Sequence, residues 1–273
     1  MTVWPKSLTL IGAGKMGAAM LAGWLARGLP ARGVAVIEPM PSPQLLTLAQ
    51  AHRFALNPPA TERLAPEILT LAIKPQMLES AAPAISALAG PQSLVLSILA
   101  GKTIADLRNR LPNAGAIVRA MPNTPAAVMR GASAAAAEPQ ATPGQRDLVA
   151  ALLGALGVFH WLDDEHQIDV VTAVSGSGPA YVFALVEALA AAGEKLGLAP
   201  AVAMSLARAT VEGAGELMYR DPATPAARLR ENVTSPGGTT AAALAVLQAR
   251  DGLDALMTRA VAAAHRRAGE LAG

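Results

Sequence analysis

Three glycines follow the first apolar run of the sequence, at the point where a strand would turn into a helix. Gly12, Gly14 and Gly17 have the spacing G-x-G-x-x-G, and a second strand-like run, Val34–Ile37, follows. In this pattern the first glycine allows a tight turn, the second lets the backbone approach a pyrophosphate, and the third lets helix and strand pack closely. The N–H groups and positive dipole end of the helix would face the phosphates. The motif therefore predicts a dinucleotide site.

One carboxylate supports this interpretation and bears on the choice of dinucleotide. Glu38 closes the second strand-like run, 21 positions after Gly17, where an acidic residue usually accepts a hydrogen bond from a ribose 2′-hydroxyl. The following residues, Pro39–Pro43, include no arginine that would pair with a 2′-phosphate. We therefore expect NADH to be the better donor. If the Glu38 side chain turns to solvent instead, Ser42 and backbone amides can still accept NADPH.

Two further loops follow predicted strands, and ligands of open α/β sheets bind at the carboxyl ends of the strands. In Ala72–Pro75, the proline forces Lys74 into an extended backbone conformation, which would aim its side chain out of the sheet. The segment Ser97–Gly101 is a small-residue loop suited to the close approach of a cofactor. The alternatives are an ordinary solvated lysine in the first loop and a plain turn in the second.

An asparagine lies between two prolines in the next such loop. Pro122 and Pro125 stiffen this segment, so Asn123 and Thr124 are presented on a rigid loop. A side-chain amide both donates and accepts hydrogen bonds, and could therefore pair with a nicotinamide carboxamide. The alternative is a structural asparagine that satisfies the backbone of its own loop.

The second half of the chain has two glycine-rich turns ahead of predicted helices. Ser235–Thr240 reads SPGGTT; its glycines free the backbone, the helix N-terminus supplies N–H donors, and two threonine hydroxyls lie beside them. It is the best candidate for binding the acid group of a substrate, the alternative being a capping turn. Ser175–Tyr181 reads SGSGPAY and suits either an anion or close packing. Glu187, on the helix that follows, is expected to be a paired structural carboxylate.

The composition excludes several classes of site. The chain of 273 residues has no cysteine, which excludes disulfides, thiolate zinc sites, iron–sulfur clusters and a cysteine nucleophile. Its four histidines share no ligand spacing, so we expect no metal site, and Asp163–His166 is expected to be a solvated junction. A net charge of +2 without a basic cluster argues against a nucleic-acid partner.

The apolar content of 52% raises the question of a membrane. The longest charge-free run lies between Glu79 and Lys102, and Pro83 and the Gly90-Pro91 pair interrupt it, so it does not predict a spanning helix. The first residues show no signal peptide. We therefore expect no membrane partner and a cytoplasmic location.

The remaining pattern supplies the elements that must position these residues. Up to about Leu162, short apolar runs alternate with helix-like stretches, which indicates parallel βαβ units. After Asp163 only alanine-rich helical stretches follow, and they are apolar on many faces. We predict an α/β fold with an N-terminal Rossmann-type, mostly parallel sheet domain (residues 1–162) and a C-terminal all-α dimerisation domain (residues 163–273).

The predicted elements have the following bounds. Strand-like runs are Leu8–Ile11, Val34–Ile37, Ile68–Ile73, Ser93–Leu99 and Ala116–Arg119, with Gly131–Glu138 as a possible further strand. Helix-like stretches in the first half are Met16–Arg27, Pro43–His52, Gln76–Leu88, Ile104–Leu111 and one that starts after a Thr142 cap. Those in the second half are Gly178–Leu196, Ala201–Met218, Pro225–Val233, Thr239–Gln248 and Leu253–Leu271.

Five motifs taken together resemble one enzyme family. GAGKMG at 12–17, AIKP at 72–75, RAMPNTP at 119–125, SGSGPAY at 175–181 and SPGGTT at 235–240 occur in the order typical of pyrroline-5-carboxylate reductase. The resemblance spans nearly the whole chain. It implies reduction of 1-pyrroline-5-carboxylate to L-proline by hydride transfer from NAD(P)H, the last step of proline biosynthesis. It also implies a homodimer with interlocked helical domains and, as in many members, a larger ring of dimers.

The resemblance also implies roles for individual residues. Thr240 matches the hydroxyl that meets the ring nitrogen of the substrate, and it is the one catalytic residue implied. The cradle for the substrate carboxylate matches Gly237, Gly238 and Thr239. The cofactor loops match Gly12, Gly14, Lys15, Met16, Gly17, Lys74, Pro75 and, on the nicotinamide side, Asn123. The other candidate cofactor residues, which rest on the position of their loops, are Glu38, Ala72, Ala100 and Gly101.

Two other classes of function are compatible with this architecture. One is another NAD(P)-dependent imine or β-hydroxyacid oxidoreductase; the β-hydroxyacid enzymes need a lysine early in the long helix, and Ala180–Glu187 has none. The other is a non-catalytic nucleotide-binding or interaction protein, which would not need an intact substrate cradle. Hydride attack on a C=N bond is easiest when the nitrogen is protonated, so positioning and electrostatics can suffice without an obvious acid.

Overall fold

The computed structural model describes residues 3–59 and 65–272. The chain forms two compact units, one made of Met1–Ser177 with Ala264–Gly273 and the other of Gly178–Ala263. The first unit contains the sheet, and the second is helical. The predicted division after residue 162 stays a prediction. The first compact unit extends beyond that residue, to Ser177.

A mixed sheet organises the first unit. Its strands are β1 (Leu8–Ile11), β2 (Val34–Ile37), β3 (Ala55–Leu56), β4 (Ile68–Leu71), β5 (Leu94–Ser97), β6 (Ala116–Met121), β7 (Gly131–Ala137) and β8 (Gly157–Trp161). Within the described residues they lie in the order β3-β2-β1-β4-β5-β6-β7-β8. The first six are mutually parallel, β7 is antiparallel to β6, and β8 is parallel to β7. The predicted mostly parallel α/β sheet is confirmed.

Helices cover this sheet and bury its strands. They are α1 (Lys15–Ala26), α2 (Pro43–His52), α3 (Leu78–Ser86), α4 (Ile104–Arg110), α5 (Pro143–Gly154) and α6 (Gln167–Val171). Strands β1, β4 and β5 are buried along their whole length, as parallel strands between two helical layers must be. Alternate residues of these strands enter two separate apolar cores. In one of them the buried indole Nε1 of Trp24 donates to the carbonyl of Leu152 at 2.8 Å.

Side chains close the N-termini of several of these helices. Thr142 and Gln145 form a reciprocal capping box at the start of α5, as the sequence predicted. The Ser42 hydroxyl accepts the Leu45 N–H at 3.2 Å at the start of α2. Such caps satisfy backbone donors that have no partner inside the helix.

Three short elements were not predicted from the sequence. Strand β3 has two residues. Helix α6 has five residues and is followed directly by a π-helical turn, Thr172–Gly176. Strand β8 alternates half-buried with exposed residues and contains Gly157 and His160. Periodicity cannot reveal elements this short or this polar, and pairing with a longer neighbouring strand stabilises the two strands instead.

The order of the strands reverses beside β1. Strands β1 and β4 are hydrogen-bonded neighbours, although β2 and β3 separate them in sequence. In open α/β sheets, the crevice outside the carboxyl ends of the strands at such a reversal is where ligands bind. The fold therefore places the loops after β1 and β4 on either side of one crevice.

The second unit is built from alanine-rich helices. These are α7 (Gly178–Lys195), α8 (Pro200–Arg220), α9 (Ala226–Asn232) and α10 (Thr239–Leu247), while α11 (Leu253–Ala272) starts in this unit and ends in the first. Helices α7 and α8 pack through the small side chains of Ala190, Ala203 and Ala207. Large apolar side chains remain exposed, including Phe183 at 63% and Leu217 at 63%. The predicted helices of this half are confirmed, and exposed apolar faces of this kind are typical of interaction surfaces.

Candidate active site

The turn after β1 brings the ends of β1 and β4 into backbone contact. Gly12 has φ of +88°, a conformation that glycine adopts without steric cost. Its N–H donates to the carbonyl of Ile37 at 2.9 Å. A Cβ at this position would lie 2.8 Å from the backbone of Ala72 and Ile73. Any side chain here would push the two strand ends apart.

The other two glycines of the motif have different surroundings. A Cβ at Gly17 would collide with the carbonyl oxygen of Gly12, so this glycine is needed for packing. Gly14 has ordinary extended angles, and no atom of the described residues lies within 4 Å of the position that its Cβ would take. The fold therefore needs glycine at 12 and 17, whereas glycine at 14 leaves open space beside the backbone.

The start of α1 fits the phosphates of a dinucleotide. Within the described residues, no side chain caps this helix and its first turn holds no acidic residue. Lys15 is exposed and Met16 half-buried at its first two positions. Open space at Gly14 beside uncapped N–H groups is the arrangement in which a pyrophosphate binds a helix N-terminus. The residues present therefore fit the predicted cofactor.

A cleft of about 710 Å³ joins the predicted cofactor residues that follow β1, β2 and β4. Its walls include the glycine turn, Glu38 and Lys74, together with the apolar residues Met40 and Ile85. Lys74 is exposed and extended, with φ of −68° and ψ of 139°, as the following proline predicted. Pro75 itself begins a 3₁₀ turn on the way to α3. The cleft has the size and the mixed lining typical of a small-molecule site.

The carboxylate of Glu38 lies over the glycine turn. Its Oε2 accepts the N–H of Ala13 at 2.8 Å, and its Oε1 accepts the N–H of Met40 at 3.0 Å. The side chain is half-buried and does not turn to solvent, which was the alternative left open by the sequence. A ribose bound in this cleft would meet a carboxylate whose direction is already fixed.

The loop after β5 has a different neighbour. Gly101 has φ of +69°, and a Cβ there would lie 2.8 Å from the backbone carbon of Leu271 in the last turn of α11. Ala100 and Pro75 line a second cleft, of about 490 Å³, beside the same helix end. Glycine at 101 thus has a packing reason in this structure, and the contact of Ala100 and Gly101 with a cofactor stays a prediction.

Asn123 joins two segments outside its own loop. Its side chain is 8% exposed; Nδ2 donates to the carbonyl of Ser175 at 3.0 Å, and Oδ1 accepts the N–H of Ala132 at 2.8 Å. The amide therefore fixes the π-helical turn to the start of β7. An amide has two N–H groups and two acceptor sites, so these bonds leave capacity for a nicotinamide, and that role stays a prediction.

Arg119 is a structural residue of the site that sequence reasoning missed. It is 2% exposed in β6, and its guanidinium pairs with Glu165 at 3.2 Å and Asp169 at 2.9 Å. Glu165 also accepts the N–H of Ile104 at 2.8 Å. The interpretation of Asp163–His166 as a solvated junction is therefore wrong for Glu165. An arginine inside a buried strand needs carboxylate partners, and that requirement was the signal in the sequence.

The ion pairs of Arg119 position the π-helical turn. Glu165 lies just before α6 and Asp169 lies within it, and the turn Thr172–Gly176 continues that helix. Ser175, whose carbonyl meets Asn123, donates its hydroxyl to the carbonyl of Val171 at 3.1 Å. Single π turns are frequent at functional sites. The same ion pairs thus hold the segment that contacts Asn123.

In the second unit, the segment Ser235–Thr240 forms the turn and helix start that the sequence predicted. Gly237 has φ of +70°, and Gly238 is the extended N-cap of α10, with its N–H donated to the carbonyl of Ser235 at 3.0 Å. Among the described residues, no side chain caps α10 and no acidic residue lies in its first turn. In the part of the chain that the structure describes, nothing lies within 4 Å of a Cβ built at Gly237. The N–H groups at Thr239 and Thr240 are thus available to an anion.

Comparison with known proteins identifies the family. A model of pyrroline-5-carboxylate reductase dimerisation matches residues 165–271, and a model of NADP oxidoreductase, coenzyme F420-dependent, matches residues 7–101. A pyrroline-5-carboxylate reductase from Pseudomonas aeruginosa is 40% identical over 97% of this chain and 96% of its own length. The chain belongs to the pyrroline-5-carboxylate reductase family. It is thus an NAD(P)H-dependent oxidoreductase.

Solved structures of this family agree with the fold. The pyrroline-5-carboxylate reductase of Coxiella burnetii has a TM-score of 0.89 at 33% identity, covering 98% of this chain and 99% of that chain. The Plasmodium falciparum pyrroline carboxylate reductase, solved with NADP bound, has a TM-score of 0.81 at 26% identity, covering 98% of both chains. The resemblance stated from the five motifs is confirmed.

The dimerisation model of the pyrroline-5-carboxylate reductase family covers the apolar helices. Among the described residues, one helical stretch, Gln167–Lys195, is long and apolar enough to cross a membrane by length and composition alone. It lies inside the matched dimerisation segment, and a helix that packs against another protein surface meets the same criteria. A dimerisation domain accounts for its composition.

The two glycines of the turn after β1 provide a matched pair of variants. We expect Gly14→Ala to weaken binding of NADH and NADPH about 10- to 100-fold, because its Cβ would occupy the space of the pyrophosphate and cost a charge-assisted hydrogen bond. The melting temperature should be unchanged. Gly12→Ala should lower the melting temperature, because the positive φ at this position is strained for alanine and the added Cβ would collide with the backbone of Ala72. Titration calorimetry and thermal unfolding measure both. Gly14→Ala with wild-type affinity would show that the pyrophosphate binds elsewhere.

Proposed function

We propose that the protein reduces 1-pyrroline-5-carboxylate to L-proline, the last step of proline biosynthesis, with NADH as its preferred donor. The reaction rests on family membership together with the MPNTP and SPGGTT motifs, which this chain retains. The donor rests on one structural observation, the Glu38 carboxylate fixed over the glycine turn.

The substrate carboxylate has a cradle in Ser235–Thr240. Uncapped N–H groups at the start of α10 and the open space at Gly237 support binding of an anion there. Thr239 contributes its backbone N–H and hydroxyl to the acid group. Thr240 lies one position further along the helix, and its hydroxyl serves as the partner of the ring nitrogen.

The chemistry that this chain must supply is mainly orientation. When bound, the dinucleotide supplies the hydride. The substrate can arrive with its nitrogen already protonated, so the protein does not need a strong acid beside the C=N bond. Ser235–Thr240 contains no histidine, aspartate or glutamate, which is consistent with that requirement. Thr240 then holds the charged nitrogen in place while the cradle fixes the carboxylate.

Charge at Glu38 supports the choice of NADH. Its carboxylate can accept a hydrogen bond from a ribose 2′-hydroxyl but repels a 2′-phosphate. Two like charges about 4 Å apart cost roughly 1–4 kcal/mol between the bulk-water and surface limits. The hydroxyl of Ser42 accepts the Leu45 N–H as the cap of α2, and its own O–H can still donate to a 2′-phosphate. The Plasmodium falciparum relative was solved with NADP, so the fold also accommodates the phosphate, and Glu38 would set the preference here.

A homodimer with interlocked helical domains is part of the proposal, and a larger ring of dimers is compatible with it. Support comes from the dimerisation model over residues 165–271 and from large exposed side chains such as Phe183, Leu185 and Leu217. A cytoplasmic location is also part of the proposal.

The role of Thr240 can be tested by removing its hydroxyl. We expect Thr240→Ala to lower kcat/KM for 1-pyrroline-5-carboxylate about 10- to 100-fold, because a hydrogen bond to a charged group contributes about 1.5–3 kcal/mol. Thr240→Ser, which keeps the hydroxyl, should stay near wild type. A loss below about twofold in Thr240→Ala would remove Thr240 from the mechanism.

The donor preference can be tested by steady-state kinetics of proline formation with NADH and NADPH in parallel. We expect NADH to give the higher kcat/KM, and Glu38→Ser to move the NADH/NADPH ratio toward NADPH about tenfold, within the electrostatic range above. Glu38→Gln, which keeps the length and removes the charge, should move it in the same direction. A wild-type preference for NADPH with an unchanged ratio in Glu38→Ser would contradict the assignment.

Assembly can be tested by sedimentation velocity at micromolar concentration. We expect the protein to sediment as a dimer or a multiple of it, because the exposed apolar area of the helical unit is too large for a monomer. Leu185→Glu, which places a charge on that surface, should weaken association. A fully active monomer would refute the proposal.

A further inference from the structure

Asn57, which follows β3 directly, has an unusual backbone conformation. Its φ is +49°, a left-handed value that asparagine tolerates better than most residues. Its N–H donates to the carbonyl of Val36 at 2.8 Å. This bond is the last backbone contact of β3 with β2, whose paired residues end at Val36 and Leu56.

The side chain of Asn57 continues the pairing where the backbone stops. Its Oδ1 accepts the N–H of Glu38 at 2.8 Å, and its Nδ2 donates to the carbonyl of Glu38 at 2.8 Å. One amide therefore satisfies both backbone groups of a single residue, as a neighbouring strand would. Strand β3 has two residues, so the amide replaces a third.

These bonds fix the residue on which the donor preference depends. The backbone of Glu38 is held from one side by Asn57, and its carboxylate is held from the other by the N–H groups of Ala13 and Met40. Both oxygens of the carboxylate keep their direction only while the backbone of Glu38 stays at the end of β2. Without the amide, the two backbone groups turn to water and the end of the strand frays.

We propose that Asn57 is a positioning residue for cofactor choice, which holds Glu38 so that its carboxylate faces the adenosine ribose. This inference rests on the proposed role of Glu38. It assigns to Asn57 no contact with the cofactor, and its effect passes through Glu38 alone. NADH, which has a 2′-hydroxyl for the carboxylate, therefore loses more than NADPH when Asn57 is changed.

The chemistry of the amide explains why asparagine stands here. Aspartate has the same shape and tolerates the left-handed backbone, but it cannot donate to the Glu38 carbonyl and adds a charge beside it. Serine cannot span both backbone groups. Glycine keeps the backbone conformation without strain and removes both side-chain bonds. Asn57→Gly and Asn57→Asp are therefore a matched pair of variants.

The test compares NADH and NADPH at saturating 1-pyrroline-5-carboxylate in wild type, Asn57→Gly, Asn57→Asp, Glu38→Ser and the double variant Glu38→Ser/Asn57→Gly. We expect Asn57→Gly to raise KM for NADH about 3- to 10-fold, the range for loss of ordinary hydrogen bonds. Its kcat should stay near wild type, and its KM for NADPH should stay near wild type or fall, because a released carboxylate repels the 2′-phosphate less. Asn57→Asp should also raise KM for NADH, because it loses the donor to the Glu38 carbonyl; its added charge disfavours NADPH as well, so the NADH/NADPH ratio is interpreted from Asn57→Gly. In the Glu38→Ser background, Asn57→Gly should leave the NADH/NADPH ratio unchanged.

The outcomes separate this inference from the proposed function. If Glu38→Ser changes the ratio and Asn57→Gly does not, the positioning role is wrong and the role of Glu38 stands. An equal rise in KM for both donors would indicate a merely structural residue and also overturn the inference. If Glu38→Ser leaves the ratio unchanged, the role of Glu38 fails and this inference fails with it. Dissociation constants by fluorescence titration, and melting temperatures for all variants, separate binding from stability.

Discussion

The close approach of two backbones, at Gly12 and Ala72, is the constraint on which the nucleotide unit depends. The ends of β1 and β4 cannot move apart without breaking the pairing of these two strands. They cannot move closer, because their backbones are already in contact. The positive φ of Gly12 turns the chain at once into α1, so the helix N-terminus stays beside the sheet. Because the turn is this tight, the N–H of Ala13 comes within hydrogen-bond distance of a carboxylate at the end of β2.

The three glycines of the turn after β1 therefore have different functions. Gly12 and Gly17 are fixed by packing, whereas the space at Gly14 is free for a ligand. Glu38 adds a fixed charge beside this turn. In the second unit, the proposed cradle Ser235–Thr240 begins a helix whose first N–H groups have no side-chain cap among the described residues. In the proposed function, a charged cofactor and a charged substrate would each be bound mainly by backbone N–H groups, which keep their direction and need no proton transfer.

Local signals predicted most of the fold, and long-range contacts account for the rest. Strands such as Leu8–Ile11 are continuous apolar runs, and the cap of Thr142 with Gln145 is confined to one turn of helix, so both are visible in the sequence. The pairs of Arg119 with Glu165 and Asp169 join residues 46 and 50 positions apart, and the Asn57–Glu38 pair spans 19. No periodicity encodes such contacts. The site motifs were predictable because their glycines serve local backbone geometry, whereas their supporting residues were not.

The central claim is that Glu38, held at the end of β2, accepts a hydrogen bond from the adenosine ribose of the donor. The most direct measurement is a crystal structure of the protein with NADH, in which the distance from the Glu38 carboxylate to the adenosine ribose 2′-hydroxyl is determined. We expect an oxygen–oxygen distance of about 2.5–2.7 Å, typical of a hydroxyl donating to a carboxylate, with the Ala13 N–H bond kept. A carboxylate turned to solvent, more than about 3.5 Å from the ribose hydroxyls, would contradict it.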